Sequence, residues 1–384
     1  MPAIDALEAR RVLTKAYSGR RALAFAGVTE DIPTEAQAAL RQLSQERLMA
    51  YGVHHADAVE LRARTASGES WQEVAADLAE TCLRPPDFAL SAPSVPTKLN
   101  RLYRASALLR MSQMMMLSDS DERRDIVSKA SDLYLQAAQL SGDREKVSIE
   151  TNGGVLAGWR FPVRGAPSIG TAVVIGGVEG WAMDFDPLGA VLASRGVDTL
   201  MLDGPGQGES RLVHKHYLTV DWERAYRGVF DFVSRRSGGL PLAFVGNSMG
   251  GAVGMHLAAH DPRIVACCNN GGPLNPGRRR GNTTFFQKMV AHCGGVDDEK
   301  ALEIWQTIKP VDPSAPVRCP LLIVQGGMDA LVSTEDAASV FDAAKSEDKT
   351  MVIFSDGDHC VYNHQDDKHN VIGDWICDRL RRQH

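Results

Sequence analysis

The run Leu242-Ala243-Phe244-Val245-Gly246-Asn247-Ser248-Met249-Gly250-Gly251, continued by Ala252-Val253-Gly254-Met255-His256-Leu257-Ala258-Ala259, decides how the rest of the chain is read. Four apolar residues read as a short buried strand, and the stretch from Ala252 reads as a helix. Between them lies Gly-x-Ser-x-Gly, a nucleophile-elbow pattern with the serine at the tip. So tight a turn leaves no room for side chains two residues before and two after the serine. Its strained backbone lifts the hydroxyl above the sheet edge. The amide of Met249 then opens the helix, at its positive end. The same glycines could also make a phosphate cradle; the strand before and the helix after favour the nucleophile.

The chain has 384 residues, room for one large domain and a smaller one, or for two. Its 44% hydrophobic and 23% charged residues are ordinary for a globular protein. A net charge of -6 argues against a nucleic-acid partner or an anionic membrane. No apolar run is long enough to span a bilayer, and Met1–Arg11 has no basic region leading into an apolar core, so no secretory signal is expected. The cysteines Cys82, Cys267, Cys268, Cys293, Cys319, Cys360 and Cys377 are odd in number and include no Cys-x-x-Cys. That spacing speaks against a disulfide framework and a structural zinc site, and reduced thiols in the cytoplasm are expected.

Two halves differ in grammar. Up to about residue 140 almost nothing reads as a strand. Glu35–Ala50 carries leucines and alanines at helical spacing. Ser70-Trp71-Gln72-Glu73 fits a capping box, opening a helix to about Leu83 that Arg84-Pro85-Pro86-Asp87 stops. Lys98–Leu117 and Asp121–Leu140 are further amphipathic stretches, the second with Ile126, Ala130, Leu133, Ala137 and Leu140 on one face. From Lys146 short β-rich runs alternate with helical ones: 146–150, 155–161, 170–175, 199–202, 242–245, 264–268, 321–325 and 350–354. The first two flank a hairpin turn at Asn152-Gly153-Gly154. The later ones are unbroken apolar runs suited to parallel strands buried on both faces. The expected organisation is an all-helical domain over 1–142 and, over 143–384, an eight-stranded, mostly parallel α/β sheet with helices on both faces. Such sheets hold ligands at the carboxyl ends of their strands.

A serine needs a base, and the base needs an orienting carboxylate. In this architecture both should follow the serine, each just past a strand end. Asp329 ends Leu321-Leu322-Ile323-Val324-Gln325-Gly326-Gly327-Met328-Asp329 and is the candidate acid; Asp336 and Asp342 look like helix caps. His359 ends Met351-Val352-Ile353-Phe354-Ser355-Asp356-Gly357-Asp358-His359 and is the candidate base. His364 and His369 sit in a polar stretch and are expected to be solvated. His54, His55, His214, His216 and His384 are placed less well still. The pair His54-His55 with Asp57 could suggest a metal, but adjacent histidines point apart on a helix.

The second oxyanion donor should come from Ile175-Gly176-Gly177-Val178-Glu179-Gly180-Trp181, with the Val178 amide the best candidate beside that of Met249. Glu179 either touches substrate or braces the loop, and Trp181 is a further candidate for substrate binding. Asp203-Gly204-Pro205-Gly206-Gln207-Gly208-Glu209-Ser210 has the wrong glycine spacing for a dinucleotide loop and is read as the floor of the site. No cofactor or metal is expected.

Taken in order, Gly-Gly-Val after the third strand, Asp-Gly-Pro-Gly-Gln-Gly-Glu-Ser, Gly-Asn-Ser-Met-Gly-Gly, Gly-Gly-Met-Asp and Gly-Asp-His make residues 146–384 resemble an α/β-hydrolase. The helical half, with Tyr103-Arg104-Ala105, Arg123–Ala130 and Tyr134-Leu135-Gln136-Ala137-Ala138 leading into Val147-Ser148-Ile149, is similar to the subgroup of dihydroxypseudooxynicotine hydrolase and the fungal polyketide-shortening hydrolases. That resemblance implies an N-terminal helical lid and hydrolysis of a carbon–carbon bond beside a ketone. It also implies Ser248 as nucleophile, Asp329 as acid, His359 as base, and the Val178 and Met249 amides as oxyanion hole. Glu179 departs from the aspartate common there.

The expected partner is a small, largely apolar carbonyl substrate: a β-diketone or acylphenol, or an ester. Acyl transfer by the same triad, or a non-catalytic binding module, are the rivals. Met111, Met114, Met115 and Met116 either line the pocket or form core. Gly271–Lys309 is a second candidate cover, and Arg278-Arg279-Arg280 within it is solvated or attracts an acidic substrate. Exposed helical faces in the N-terminal half suggest a homodimer.

Overall fold

The computed structural model describes residues 12–15, 32–84, 92–278 and 283–383. Met1–Arg11, Pro85-Pro86-Asp87, Arg279, Arg280 and His384 lie outside these. The chain forms two compact units, Leu23–Lys146 and Val147–His384, and the latter also takes in Val12–Lys15.

Strand β1, Val12–Lys15, belongs to the sheet described below. The helical unit then runs α1 Thr34–Gln42, α2 Gln45–Ala50, α3 His55–Ala66, α4 Trp71–Leu83, α5 Val95–Ser112 and α6 Asp121–Ser141. Ser44, Ser70, Ser94 and Ser120 set four of the starts, each accepting the backbone N–H three residues on. Ser44 also divides the stretch expected as one helical run over Glu35–Ala50: its extended backbone breaks the helix and its hydroxyl starts the next. Gly142, at φ 65°, ends α6 in the left-handed conformation. On α6 the buried face includes Val127, Ala130, Ser131, Leu133, Tyr134, Ala137 and Ala138, and Leu140, in the last turn, is exposed. Met111 and Met114 are core in this unit, and Met115 and Met116 are half-buried. Buried polar groups are spent internally. The Trp71 indole donates to the Met111 carbonyl at 2.9 Å, and Ser106 donates to the Ala130 carbonyl at 2.7 Å. Asp57 accepts from Nε and Nη2 of Arg104, at 2.9 and 2.7 Å. His54 and His55 are exposed, and no group of residues that could hold a metal occurs among the described residues.

The second unit continues with β2 Glu145–Thr151, β3 Gly154–Phe161, β4 Thr171–Ile175, α7 Asp186–Ser194, β5 Asp198–Leu202, α8 Gly208–Leu212, α9 Trp222–Ser237, β6 Leu242–Asn247, α10 Met249–His260 and β7 Ile264–Asn270. It ends with α11 Thr284–His292, α12 Asp298–Gln306, β8 Leu321–Gly326, α13 Thr334–Ala343, β9 Lys349–Phe354 and α14 Gln365–Arg381. The sheet order is β1-β9-β8-β7-β6-β4-β5-β3-β2. The strands from β1 to β5 in that order pair in parallel, and β3 pairs antiparallel to β5. Every residue of β4, β6 and β8 is buried, as unbroken apolar runs require. All eight expected strands are present. The ninth, β1, was not expected: four residues carry no readable period, and their partner in β9 is more than three hundred residues away, with Val12 opposite Met351.

The chain passes from β4 to β5 on one side, then returns to β6 on the other. The order therefore reverses between β4 and β6, and the crevice at their carboxyl ends is where such sheets bind ligands.

Candidate active site

Three strand ends and one strand-to-helix turn build the site. Ser248 joins β6 to α10 at φ 55° and ψ -129°, a conformation rarely held by a residue with a side chain. The flanking glycines are obligatory: a Cβ on Gly246 would lie 2.0 Å from the Gly250 oxygen, and one on Gly250 2.4 Å from the Gly176 oxygen. Asp329 follows β8 and His359 follows β9.

The structure brings these three together. His359 Nε2 lies 2.8 Å from Ser248 Oγ, and His359 Nδ1 lies 2.8 Å from Asp329 Oδ2. The Asp329 side chain is fully buried and that of His359 is 18% exposed, so the relay is covered at its acid end and open at its serine end. Burial alone would raise the Asp329 carboxyl. His359, together with the amides of Val332 and Leu331 at 2.9 and 2.7 Å, outweighs burial and holds it below the ordinary aspartate value. Burial likewise opposes the imidazolium of His359, but the Cys360 sulfur and the Asp329 carboxylate prevail and raise it above the usual histidine value.

The loop after β4 lies against the elbow: a Cβ on Gly177 would stand 2.6 Å from Ser248 Cβ. Among the described residues, no hydrogen-bond partner takes the amide N–H of Val178 or of Met249. Glu179 turns away and forms a buried ion pair with Lys288 of α11, which braces the loop. Trp181 is buried, with its amide capped by Asp184 at 2.9 Å. Neither Glu179 nor Trp181 lines the cleft over Ser248. The cleft, about 430 Å³ with its open mouth, is walled by Phe285, Phe286 and Met289 of α11 and by Leu331 and Val332. Asn275 and Arg278 are its polar rim. Residues 271–309 thus supply much of its wall.

His364 and His369 are buried, not solvated. The polar stretch that holds them runs into the inward face of α14, and Asp356 Oδ1 meets His364 Nε2 at 2.8 Å. His369 is held well below the ordinary histidine value by burial and by Lys368 beside it.

Several residues escaped the sequence reading. Asn270, at the end of β7, donates to Asn247 Oδ1 at 2.7 Å and to the Cys360 carbonyl at 3.2 Å, while its own carbonyl accepts the Ser248 amide at 2.8 Å. It ties the elbow to the histidine loop. Lys368 grips the same Cys360 carbonyl at 3.1 Å. That loop needs holding, because Cys360 and Val361 both sit at positive φ, 57° and 56°. The signal for Asn270 was present: Asn269-Asn270-Gly271-Gly272 is a polar break directly after an apolar strand. Asp203, which follows β5, accepts the Ala182 and Glu209 amides at 2.7 and 2.9 Å, and burial still pushes it up to about 7.

A family model described as the alpha/beta hydrolase family matches residues 170–369, just over half of the chain. The chain belongs to the alpha/beta hydrolase family. It is 26% identical over 267 residues to 2,6-dihydropseudooxynicotine hydrolase of Paenarthrobacter nicotinovorans, covering 68% of this chain and 72% of that one. It is 29% identical over 230 residues to hydrolase LUC6 of Fusarium sp, covering 56% of this chain and 54% of the relative. The solved structure of 2,6-dihydroxy-pseudo-oxynicotine hydrolase shares the fold at a TM-score of 0.73 and 22% identity, over 88% of this chain and 96% of that one. By its family, and by the hydrolase names of both relatives, the chain is a hydrolase. Among the described residues no helix is long and apolar enough to cross a membrane.

Proposed function

We propose that this α/β-hydrolase is a serine hydrolase of small, largely apolar carbonyl compounds. Ser248 Oγ attacks the carbonyl carbon while His359 Nε2 takes the hydroxyl proton. The carbonyl oxygen becomes an oxyanion held by the Val178 and Met249 amides. As the tetrahedral centre collapses, the bond to the leaving group breaks and His359 returns its proton to that group. Water, deprotonated by His359, then releases the acyl group from Ser248. Asp329 keeps Nδ1 protonated and stabilises the imidazolium. The observation that carries this reading is the pair of 2.8 Å contacts joining Ser248, His359 and Asp329 at the mouth of an apolar cleft.

The bond we propose is a carbon–carbon bond beside a ketone, in a β-diketone or acylphenol, with an ester as the second substrate class. Carbon as leaving group demands a carbanion delocalised into a second carbonyl or an aromatic ring, protonated by His359. Phe285, Phe286 and Met289 suit such a flat, apolar substrate. The likeness to 2,6-dihydropseudooxynicotine hydrolase over 68% of the chain supports this class. We assign the helical segment, residues 1–142, as a lid on the catalytic segment, residues 143–384, and the working form as a cytoplasmic homodimer. The test is mass-spectrometric product analysis on a panel of aryl esters and β-diketones, with Ser248→Ala as control. A carboxylic acid and a ketone from a β-diketone are expected; ester turnover without ketone cleavage rejects the carbon–carbon assignment.

A further inference from the structure

One buried side chain governs how the loop after β4 is aimed. Gln207 donates one N–H to the Gly176 carbonyl at 2.8 Å and the other to the Gly177 carbonyl at 2.7 Å. Its Oε1 accepts the Gly204 amide at 2.8 Å. A primary amide has two donor hydrogens and an acceptor oxygen, and each is used here. Glutamate would offer no donor, and asparagine would fall one methylene short.

The chain holds no cis peptide among the described residues, so the Gly177 oxygen and the Val178 N–H point in opposite directions within one rigid plane. Fixing the oxygen therefore fixes the direction of the N–H. Gly177 is itself pressed on the nucleophile, where a Cβ would stand 2.9 Å from Ser248 Oγ. Gly177, on the near side of this peptide, accepts the change of ψ that a flip would need, so the peptide must be held. A flip would turn a carbonyl oxygen, in place of an N–H, toward the negative charge of the intermediate.

We infer that Gln207 is the positioning residue of the oxyanion hole, holding the Gly177–Val178 peptide with its N–H aimed at the oxyanion on the carbon bonded to Ser248. It touches no substrate; it acts through the loop. The inference rests on the reading that the Val178 amide is one of the two donors.

Gln207→Glu keeps the shape and the acceptor for Gly204 but sets a carboxylate against two carbonyl oxygens. Gln207→Met keeps the bulk without donor or charge, and carries the test if the buried carboxylate prevents folding. Both are assayed with p-nitrophenyl acetate and with phenylboronic acid, whose tetrahedral serine adduct places an oxygen where the oxyanion forms. The expected result is a kcat lower by about 10- to 100-fold with KM within about twofold, since the lost interaction belongs to the transition state. The Ki for phenylboronic acid should rise in step with the loss in kcat/KM. Unchanged kcat in a folded variant overturns the inference, and so does a fall in kcat with Ki unmoved. Failure of both variants to fold also counts against it, because it makes Gln207 a scaffold residue. Ser248→Ala is run alongside: if it still turns over the ester at the wild-type rate, the serine mechanism itself fails, whatever Gln207 does.

Discussion

The two units treat buried polar groups and backbone strain in opposite ways. In the helical unit, Ser106, Arg110, Gln113 and Arg123 are buried, and their bonds close on one another or on nearby carbonyls. Positive φ there, among the described residues, falls only on Gly52, Gly68 and Gly142. In the sheet unit, Lys215, Ser248, Cys360 and Val361 hold positive φ with full side chains, and the last three lie in the elbow and the histidine loop. Such residues cost on the order of 1–3 kcal/mol each and persist only where their surroundings over-determine them. Asn270 and Lys368 are those surroundings. One unit relaxes its polar groups into its own packing; the other spends stability to point a hydroxyl and an imidazole at the same space.

The contrast can be broken or sharpened by experiment. The largest effect is expected from Ser248→Ala, which should lower kcat by roughly a million-fold, as loss of the nucleophile does in other triads. Steady-state kinetics on an activated ester measures it, and a loss under tenfold breaks the account. Next is Asp329→Asn, expected to cost about 10⁴-fold in kcat by freeing the wrong imidazole tautomer. It also tests the electrostatics. His359 must be neutral to accept a proton, and its value stands above the ordinary ~6.5, so kcat/KM should rise with pH through a midpoint above 6.5. Removing the carboxylate should move that midpoint down. A profile that stays put in the variant argues that Asp329 does not face His359 in solution. The smallest effects concern stability. Ser248→Gly relieves the strained φ and should raise stability by about 1 kcal/mol while abolishing turnover. Ser106→Ala leaves an Arg110 donor and the Ala130 carbonyl short of a partner, and should lower stability by about 1–2 kcal/mol with kcat unchanged. Denaturant titration separates the two signs.

Much of this was legible in the chain because local signals coincide with the strand ends. Ser248, Asp329 and His359 each follow an apolar run and have a glycine two residues before them, so the residues and their order could be read without knowing which strands are neighbours. Gln207 could not be read that way, and for Asn270 the polar break after an apolar run marks the position but not its partners. Their partners lie across strand boundaries, on the β4 loop for Gln207 and on both the elbow and the β9 loop for Asn270, and that adjacency is a property of the sheet order. The same limit hid β1, whose four residues gain meaning only beside β9. The error over His364 and His369 has another cause: polar composition does not say which side of a helix faces the sheet, and Asp356, which meets the His364 ring, comes from the preceding loop. Ser44, by contrast, was a readable cap that the run of leucines and alanines around it obscured.

The relay from Asp329 through His359 to Ser248 is most directly tested by reacting the native protein with a fluorophosphonate and mapping the adduct by peptide mass spectrometry. The account requires a single stoichiometric adduct on Ser248, lost in the His359→Ala protein and in denaturant. Labelling that spares Ser248, or that proceeds equally well without the imidazole, contradicts it.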